Sequence, residues 1–134
     1  MSTSAAGIVR HRRVDFRPGD GTALGIDTLR QTLADWHLTG RPAALDILLV
    51  AAELLANAVQ HTPGPLHMDL EQDGGRLRIS VTDPLPDPPR PRPHRAEAVH
   101  GHGLFIVGRL TSDWGHRPDG PGKTVWADIP ASDS

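Results

Sequence analysis

Two polar side chains interrupt an otherwise apolar segment, ELLANAVQHT at residues 53–62. Glu53 and Asn57 stand four residues apart, a spacing that places both on one face of a helix. A carboxylate and a carboxamide on one stripe offer the oxygen ligands that suit a hard cation such as Mg²⁺. From Arg41 to the end of this segment the chain has no further lysine or arginine, although such residues usually fill a solvated helix face. Taken alone, the pair is still better explained as the solvated face of an amphipathic helix.

Two further motifs stand where predicted elements begin or end. GHGL at 101–104 opens a predicted helix, and its two glycines let backbone N–H groups approach an anion at the helix N-terminus. Asp83 ends a predicted strand immediately before a proline-rich loop. Each has a plain alternative, because glycines also serve tight turns and Asp-Pro often starts one. A third glycine, Gly108, falls too late for the Rossmann fingerprint.

The elements that must position these residues follow from the periodicity of the apolar residues. We predict strands at 12–19, 66–71, 77–82 and 124–130, a shorter strand near Trp114, and helices at 20–38, at 42–61 and from 101 onwards. The prolines between Pro84 and Pro93 exclude a regular helix or strand from the loop at 83–95. This order predicts an α+β fold in which helices cover one face of a mostly antiparallel sheet.

Composition restricts the classes of function. The chain has 134 residues, enough for one domain, and a formal net charge of -2, so it lacks the basic field that nucleic-acid binding requires. It has no cysteine, which excludes disulfides, thiolate metal sites and a cysteine nucleophile. The N-terminus does not have the pattern of a signal peptide. The longest apolar run, at 44–59, is interrupted by polar side chains and is predicted to be too short and too polar to span a bilayer. We therefore expect a soluble cytoplasmic protein that contacts neither membrane nor nucleic acid.

Histidine-based metal sites and a serine hydrolase are both disfavoured. The chain has 8 histidines, but His100 and His102 have no acidic partner at a familiar ligand spacing and the others are scattered. The sequence also lacks the G-x-S-x-G elbow of the α/β-hydrolases.

The order of the motifs resembles one known family. The Glu-x-x-x-Asn helix, the strand-end Asp83, the GHGL turn and the Gly-Lys-Thr at 122–124 are together similar to the GHKL (Bergerat-fold) ATP-binding domains. The likeness is strongest to the small bacterial anti-sigma-factor serine/threonine kinases, especially the actinobacterial regulators, and covers about Phe16 to Pro130. It implies a two-layer α+β sandwich, with helices on one face of a mixed, mostly antiparallel sheet.

The resemblance also implies an organisation of the chain. A single histidine-kinase-like ATPase domain is expected at 13–130, with residues 84–100 as a mobile lid over ATP. Residues 1–12 are expected to form a flexible arm and residues 131–134 a C-terminal tail.

Roles for individual residues follow from the same resemblance. It implies that Glu53 is the catalytic general base, that Asn57 binds the Mg²⁺ that bridges the ATP phosphates, and that Asp83 recognises the adenine amino group. Thr124 is implied to lie near the adenine, and Lys123 stands where glycine is common and is expected to contact phosphate. The glycine turn implied to cover the phosphates consists of Gly101, His102, Gly103 and Leu104.

The sequence departs from the family pattern in the adenine half. The family's Asp-x-Gly-x-Gly box is DPLPDP here, so that Leu85 and Asp87 bring side chains where backbone normally approaches the base. Val99 stands where some family kinases carry an arginine. The magnesium and phosphate half therefore matches the family better than the adenine half does.

Two functions stay open. The first is a kinase that uses ATP and Mg²⁺, binds a sigma factor and phosphorylates a serine or threonine of a STAS-type anti-sigma-factor antagonist. Relatives of this kind often dimerise, so a homodimer is one expected assembly. The second is a non-catalytic protein-binding switch on the same fold, with weak or no ATP binding. A polyproline ligand for an SH3-like partner in PLPDPPRPRP is less favoured, because a lid loop explains the same residues.

Overall fold

The computed structural model describes residues 9–88 and 103–130, which fold into one antiparallel sheet with helices packed on a single face. The elements in chain order are β1 (Val9–Asp15), α1 (Thr22–Asp35), α2 (Pro42–His61), β2 (His67–Asp73), β3 (Arg76–Asp83), α3 (Gly103–Leu110), β4 (Asp113–Asp119) and β5 (Gly122–Pro130). The predicted α+β class is confirmed.

The described strands lie in the order β1-β2-β3-β5-β4, and each neighbouring pair is antiparallel. The mixed sheet that the resemblance implied would need a parallel pair, and the described strands contain none. The predicted hairpin is confirmed as β2 and β3, which are joined through Gly74, whose φ of 61 favours glycine. The strand predicted near Trp114 is confirmed as the seven-residue β4.

Strand β1 begins earlier than the sequence predicted. The expected strand was at 12–19 with residues 1–12 as an arm, whereas β1 starts at Val9, which pairs with Asp73 of β2. Backbone pairing along an edge strand does not require apolar side chains, so hydropathy does not show where such a strand begins. The arm is therefore corrected to end before Val9, and residues 1–8 and 131–134 lie outside the described residues.

The two faces of the sheet differ in chemistry because side chains alternate along each strand. One face is apolar and is covered by the helices, with fully buried residues such as Leu77, Ile79 and Ile129. The other face is polar. Its central carboxylates, Asp69 and Asp128, are only 7% and 5% exposed. The core thus lies entirely between the sheet and the helical layer.

Ion pairs cover the buried carboxylates of the polar face. The Arg78 guanidinium donates to both oxygens of Asp128, at 2.6 and 2.9 Å, and stacks over Trp126 at 4.3 Å. That hydrogen bonding raises the pKa of Arg78 above its ordinary value. Burial acts to raise the pKa of Asp69, but hydrogen bonds from Arg13 at 2.8 Å and His11 at 2.6 Å outweigh it, so the pKa of Asp69 lies below its ordinary value.

Helix α2 is the central helix of the covering layer. Pro42 lies in its first turn, where the missing N–H costs nothing, and the helix ends at His61 as predicted. Its buried residues are Ala44, Ile47, Val50, Ala51, Leu54, Leu55 and Ala58. Helix α1 packs beside it, and Gly25 lets the two approach, since a Cβ there would lie 2.7 Å from a methyl group of Leu55.

Helix α1 is shorter than the predicted 20–38. It ends at Asp35, and His37 adopts a positive φ of 59 that turns the chain. The turn keeps Trp36 and Leu38 buried although they lie beyond the helix, which explains why their apolar spacing resembled a helical continuation.

The length and hydropathy of α2 correct one expectation. The helix has 20 residues and a mean hydropathy of 1.7, which meet the requirements for crossing a membrane. It is nevertheless the core helix of this layer, with buried residues against β3, β5 and α1. A buried core helix passes the same test of length and composition, so this feature is weak evidence for a membrane span.

Candidate functional site

A cavity of about 230 Å³ lies where the last turns of α2 face the adjoining ends of β3 and β5. Half of its lining residues are apolar, and the polar ones come both from the strand ends with the loop that follows β3 and from the end of α2. The lining residues are Leu54, Asn57, Ala58, His61, Thr62, Val81, Asp83, Leu85, Asp87, Pro88, Lys123 and Val125. A cavity that combines apolar walls with converging polar groups is typical of a small-molecule site.

Asp83 and Lys123 form the polar end of the cavity. They are direct cross-strand partners in the β3–β5 pair, one residue pair beyond Thr82 and Thr124. The Lys123 ammonium lies 2.9 Å from Oδ2 of Asp83 and 3.1 Å from Oδ1. The side chains of Lys123 and Asp83 are only 6% and 4% exposed, so this is a buried ion pair. Each charge is therefore compensated inside the protein rather than by water.

The loop after β3 completes this ion pair. The Leu85 N–H donates to Oδ1 of Asp83 at 2.9 Å, and the Lys123 ammonium donates to the Leu85 carbonyl oxygen at 3.3 Å. Gly122 lets β5 start directly against this loop, because a Cβ at that position would overlap the carbonyl oxygen of Asp83. The sequence Gly122-Lys123 thus has a structural reason in addition to any role with a ligand.

Asn57 projects from α2 into the same cavity, facing Asp83 and Lys123 across it. Glu53 lies one helical turn earlier and is half-buried, but it is not part of the cavity lining. Within the described residues, neither Asn57 nor Glu53 has a hydrogen bond or an ion pair. Their polar groups are therefore free to contact a ligand.

The glycine turn is only partly described. Helix α3 begins at Gly103 and packs against α2, so the predicted helix after GHGL is confirmed. Gly103 and Leu104 form its first turn, whereas Gly101, His102 and most of the predicted lid, residues 89–100, lie outside the described residues. The described part of the lid, 84–88, has neither helix nor strand, as the prolines predicted.

Thr124 is the clearest departure from the predicted site. Its hydroxyl bonds to Thr82 at 2.6 Å and to Asp119 at 2.8 Å on the polar face of the sheet. The cavity lies on the other face, because neighbouring residues in a strand point in opposite directions. The expected contact of Thr124 with adenine is corrected accordingly: Lys123, and not Thr124, faces the cavity from β5.

Lys123 is held in the ion pair at the strand ends, and its expected contact with phosphate stays a prediction. Its ammonium makes three contacts, two with Asp83 and one with Leu85. The reason is electrostatic, since a buried ammonium next to a buried carboxylate is stabilised by pairing with it.

Several lining residues were missed by the sequence reasoning, although the signal was present. Strand alternation leads from Asp83 back to Val81 and from Lys123 on to Val125. Helical spacing leads from Asn57 to Leu54 and His61, and from Leu54 to Ala58. Strand alternation and helical spacing, applied from these polar residues, would have identified the apolar residues that line the cavity.

A comparison with models of protein families identifies the family of this chain. A model of the histidine kinase-like ATPase domain matches residues 23–129, from the first turn of α1 to the end of β5. The chain belongs to this family. No curated protein matches the chain. Membership supports an ATP-binding regulatory function for this histidine kinase-like ATPase domain and is compatible with kinase or ATPase activity.

The residues of the cavity fit a nucleotide with magnesium. A carboxylate has about four acceptor positions. Lys123 and the Leu85 N–H occupy three on Asp83, which leaves one on Oδ2 for the amino group of adenine. The Asn57 carboxamide offers an oxygen ligand. Within residues 9–88 and 103–130, no group of three His, Asp or Glu side chains could hold a metal. Magnesium would therefore depend on phosphate oxygens and water for its other ligands, as it commonly does in nucleotide sites.

Proposed function

We propose that this histidine kinase-like ATPase domain is a regulator of the anti-sigma-factor kinase type. In this proposal it binds a sigma factor and uses MgATP to phosphorylate a serine or threonine of a STAS-type antagonist protein. The observation that carries the proposal is the convergence of Asn57 and Asp83 on one cavity, with Glu53 one helical turn away and without a partner among the described residues.

Each residue has a defined task in this mechanism. Asn57 would hold the metal beside the phosphates through its carboxamide oxygen. Asp83 accepts a hydrogen bond from the base, and the apolar walls, which include Leu54 and Val125, exclude water from its faces. MgATP supplies the phosphoryl group together with the charge of the metal, and the protein contributes mainly by positioning. Glu53 orients the attacking hydroxyl and accepts its proton late in the transfer.

Phosphoryl transfer tests the role of Glu53. Purified protein is incubated with γ-labelled ATP, Mg²⁺ and a STAS-type antagonist, and the label on the antagonist is counted. We expect Glu53→Gln to reduce labelling by about 10²-fold or more, since general base catalysis contributes about 10²–10⁴-fold. Gln60→Ala is the matched control, because Gln60 is an exposed residue of the same helix. Labelling that persists in Glu53→Gln would remove Glu53 from the catalytic role.

One observation favours a second candidate, a non-catalytic switch that holds a partner with little or no nucleotide. The Asp83 carboxylate is already neutralised by Lys123, and the side chains of Leu85 and Asp87 enter the cavity. Unfolding with and without MgATP separates the two candidates. A ligand at a hundredfold its Kd adds about 2.7 kcal/mol to the free energy of unfolding. An unchanged midpoint in millimolar MgATP would favour the switch.

The cellular setting is part of the same proposal. We propose a cytoplasmic protein that acts on other proteins, and its net charge of -2 supplies no basic field for nucleic acid. A homodimer is proposed from the resemblance alone, and light scattering coupled to size exclusion measures it directly. A mass of one chain at micromolar concentration would exclude the homodimer.

A further inference from the structure

Lys123 is the only lysine in the sequence, although the chain has 14 basic residues of the lysine and arginine types. Every other such position is arginine, yet the one ammonium is buried at the polar end of the cavity. An ammonium is a compact charge with three donors that can be redirected by rotation, whereas a guanidinium is a rigid planar fork. This position therefore has an adaptable donor next to the acceptor that is expected to recognise the base.

The polar end of the cavity consequently offers a donor and an acceptor side by side. Nζ of Lys123 and Oδ2 of Asp83 are 2.9 Å apart. A carboxylate alone suits the amino group of adenine, and it repels the carbonyl oxygen that guanine and hypoxanthine carry at the same position. Those two bases present an acceptor, O6, next to a donor, N1–H. An ammonium beside a carboxylate complements that edge.

The contacts of the ammonium show how it can serve either base. Its bond to the Leu85 carbonyl oxygen, at 3.3 Å, is the longest of its three contacts and is the one most readily exchanged for O6. The free acceptor position on Oδ2 of Asp83 is then available to N1–H, just as it is available to the amino group of adenine. The change from one base to the other requires only a rotation of the ammonium group.

We propose that this cavity accepts 6-oxopurine nucleotides as well as adenine nucleotides, and that Lys123 is the residue that determines this specificity. The inference rests on the proposed function in one respect, namely that the cavity holds a purine nucleotide.

Calorimetric titration with four magnesium nucleotides, ATP, ITP, GTP and CTP, tests the proposal on the wild-type protein. ITP presents O6 and N1–H without a 2-amino group, so it probes this edge alone. We expect the Kd values for ITP and ATP to agree within about threefold and CTP to bind at least about tenfold more weakly. Binding of ATP with ITP and GTP each weaker by more than about tenfold overturns the inference and leaves the proposed function standing. Binding of CTP as tight as that of ATP overturns it as well, since the cavity would then not distinguish a purine from a smaller base that carries the same amino edge. If no nucleotide binds, the proposed function fails together with the inference.

The variant Lys123→Met tests the residue itself. Without the ammonium, O6 faces an uncompensated carboxylate, so the ratio of the ITP and ATP Kd values should rise by at least about tenfold. An unchanged ratio would contradict the assignment to Lys123.

A spectroscopic measurement does not depend on the folding of that variant. Wild-type protein labelled with ¹⁵N-lysine has a single side-chain Nζ signal, because the chain has one lysine. The signal should move further on saturation with MgITP than with MgATP, because only ITP brings an oxygen to the ammonium. Equal shifts with the two nucleotides would contradict a contact between Lys123 and O6.

Discussion

Removal of the Lys123 ammonium should destabilise the fold far more than removal of an exposed cation. In Lys123→Met the Asp83 carboxylate stays buried, with 4% of its side chain exposed, and among the described residues it keeps only the Leu85 N–H as a partner. Breaking a buried ion pair on one side costs about 3–5 kcal/mol. Because the hydrogen bond from the Leu85 N–H survives, we expect the loss in the free energy of unfolding to lie near the lower end of this range, at about 3 kcal/mol. For a domain of this size that corresponds to a fall in Tm of roughly 12 °C.

Urea unfolding and calorimetry of matched variants measure this loss. The control is Arg12→Met, which removes the cation of the exposed Arg12–Asp35 pair, whose 2.6 Å distance is shorter than any in the buried pair. Because exposed pairs are screened by water, we expect the control to change stability little. The double variant Asp83→Leu, Lys123→Met should recover most of the loss, since apolar replacement of a buried pair is often neutral or stabilising. Equal losses of stability in Lys123→Met and Arg12→Met would show that burial of the ion pair makes no difference, contrary to this prediction.

Two further predictions concern the rest of the fold. The pKa of Asp69 lies below its ordinary value because hydrogen bonds from the strand β1 side chains outweigh burial. The stability it contributes is present above the unfolded pKa of about 3.9 and is lost as pH falls through the lower folded pKa. Asp69→Asn should therefore flatten the acid limb of a urea-midpoint profile below about pH 4, and equal slopes in Asp69→Asn and wild type would count against this assignment. Gly122→Ala should lower stability by about 1–3 kcal/mol, because its Cβ meets backbone atoms of Asp83 and Pro84 that cannot rotate away. Gly21→Ser, whose added Cβ meets nothing within 4 Å, is the control, and equal midpoints for the two glycine variants would contradict the predicted overlap.

The sequence predicted the elements where periodicity is strong. Helix α2 was found with its observed bounds, and the β2–β3 hairpin follows from two alternating runs across Gly74. Such patterns are local, because they depend only on the chain burying one face of each element. The start of β1 at Val9 was missed because edge pairing is a backbone property that leaves no hydropathy signal.

The candidate site was predicted as a set of residues but not as a geometry. Asp83 and Lys123 are separated by 40 positions and meet only through the β3–β5 register, which no local pattern specifies. The contact therefore stayed hidden, and Lys123 was assigned to phosphate instead. The misplacement of Thr124 has a simpler cause. Strand alternation allows only one of two neighbouring residues to face the cavity, and this constraint was already readable in the sequence.

Binding of MgATP to wild-type protein and to Asn57→Ala, measured by calorimetry with and without Mg²⁺, shows whether the cavity is a nucleotide site. If the cavity is a nucleotide site with Asn57 at the metal, wild type binds one nucleotide per chain. Loss of Asn57 then weakens binding in Mg²⁺ by about tenfold or more, and has little effect in the absence of the metal. Absence of binding to wild type at millimolar MgATP, or equal affinities of the two proteins in Mg²⁺, would contradict the account.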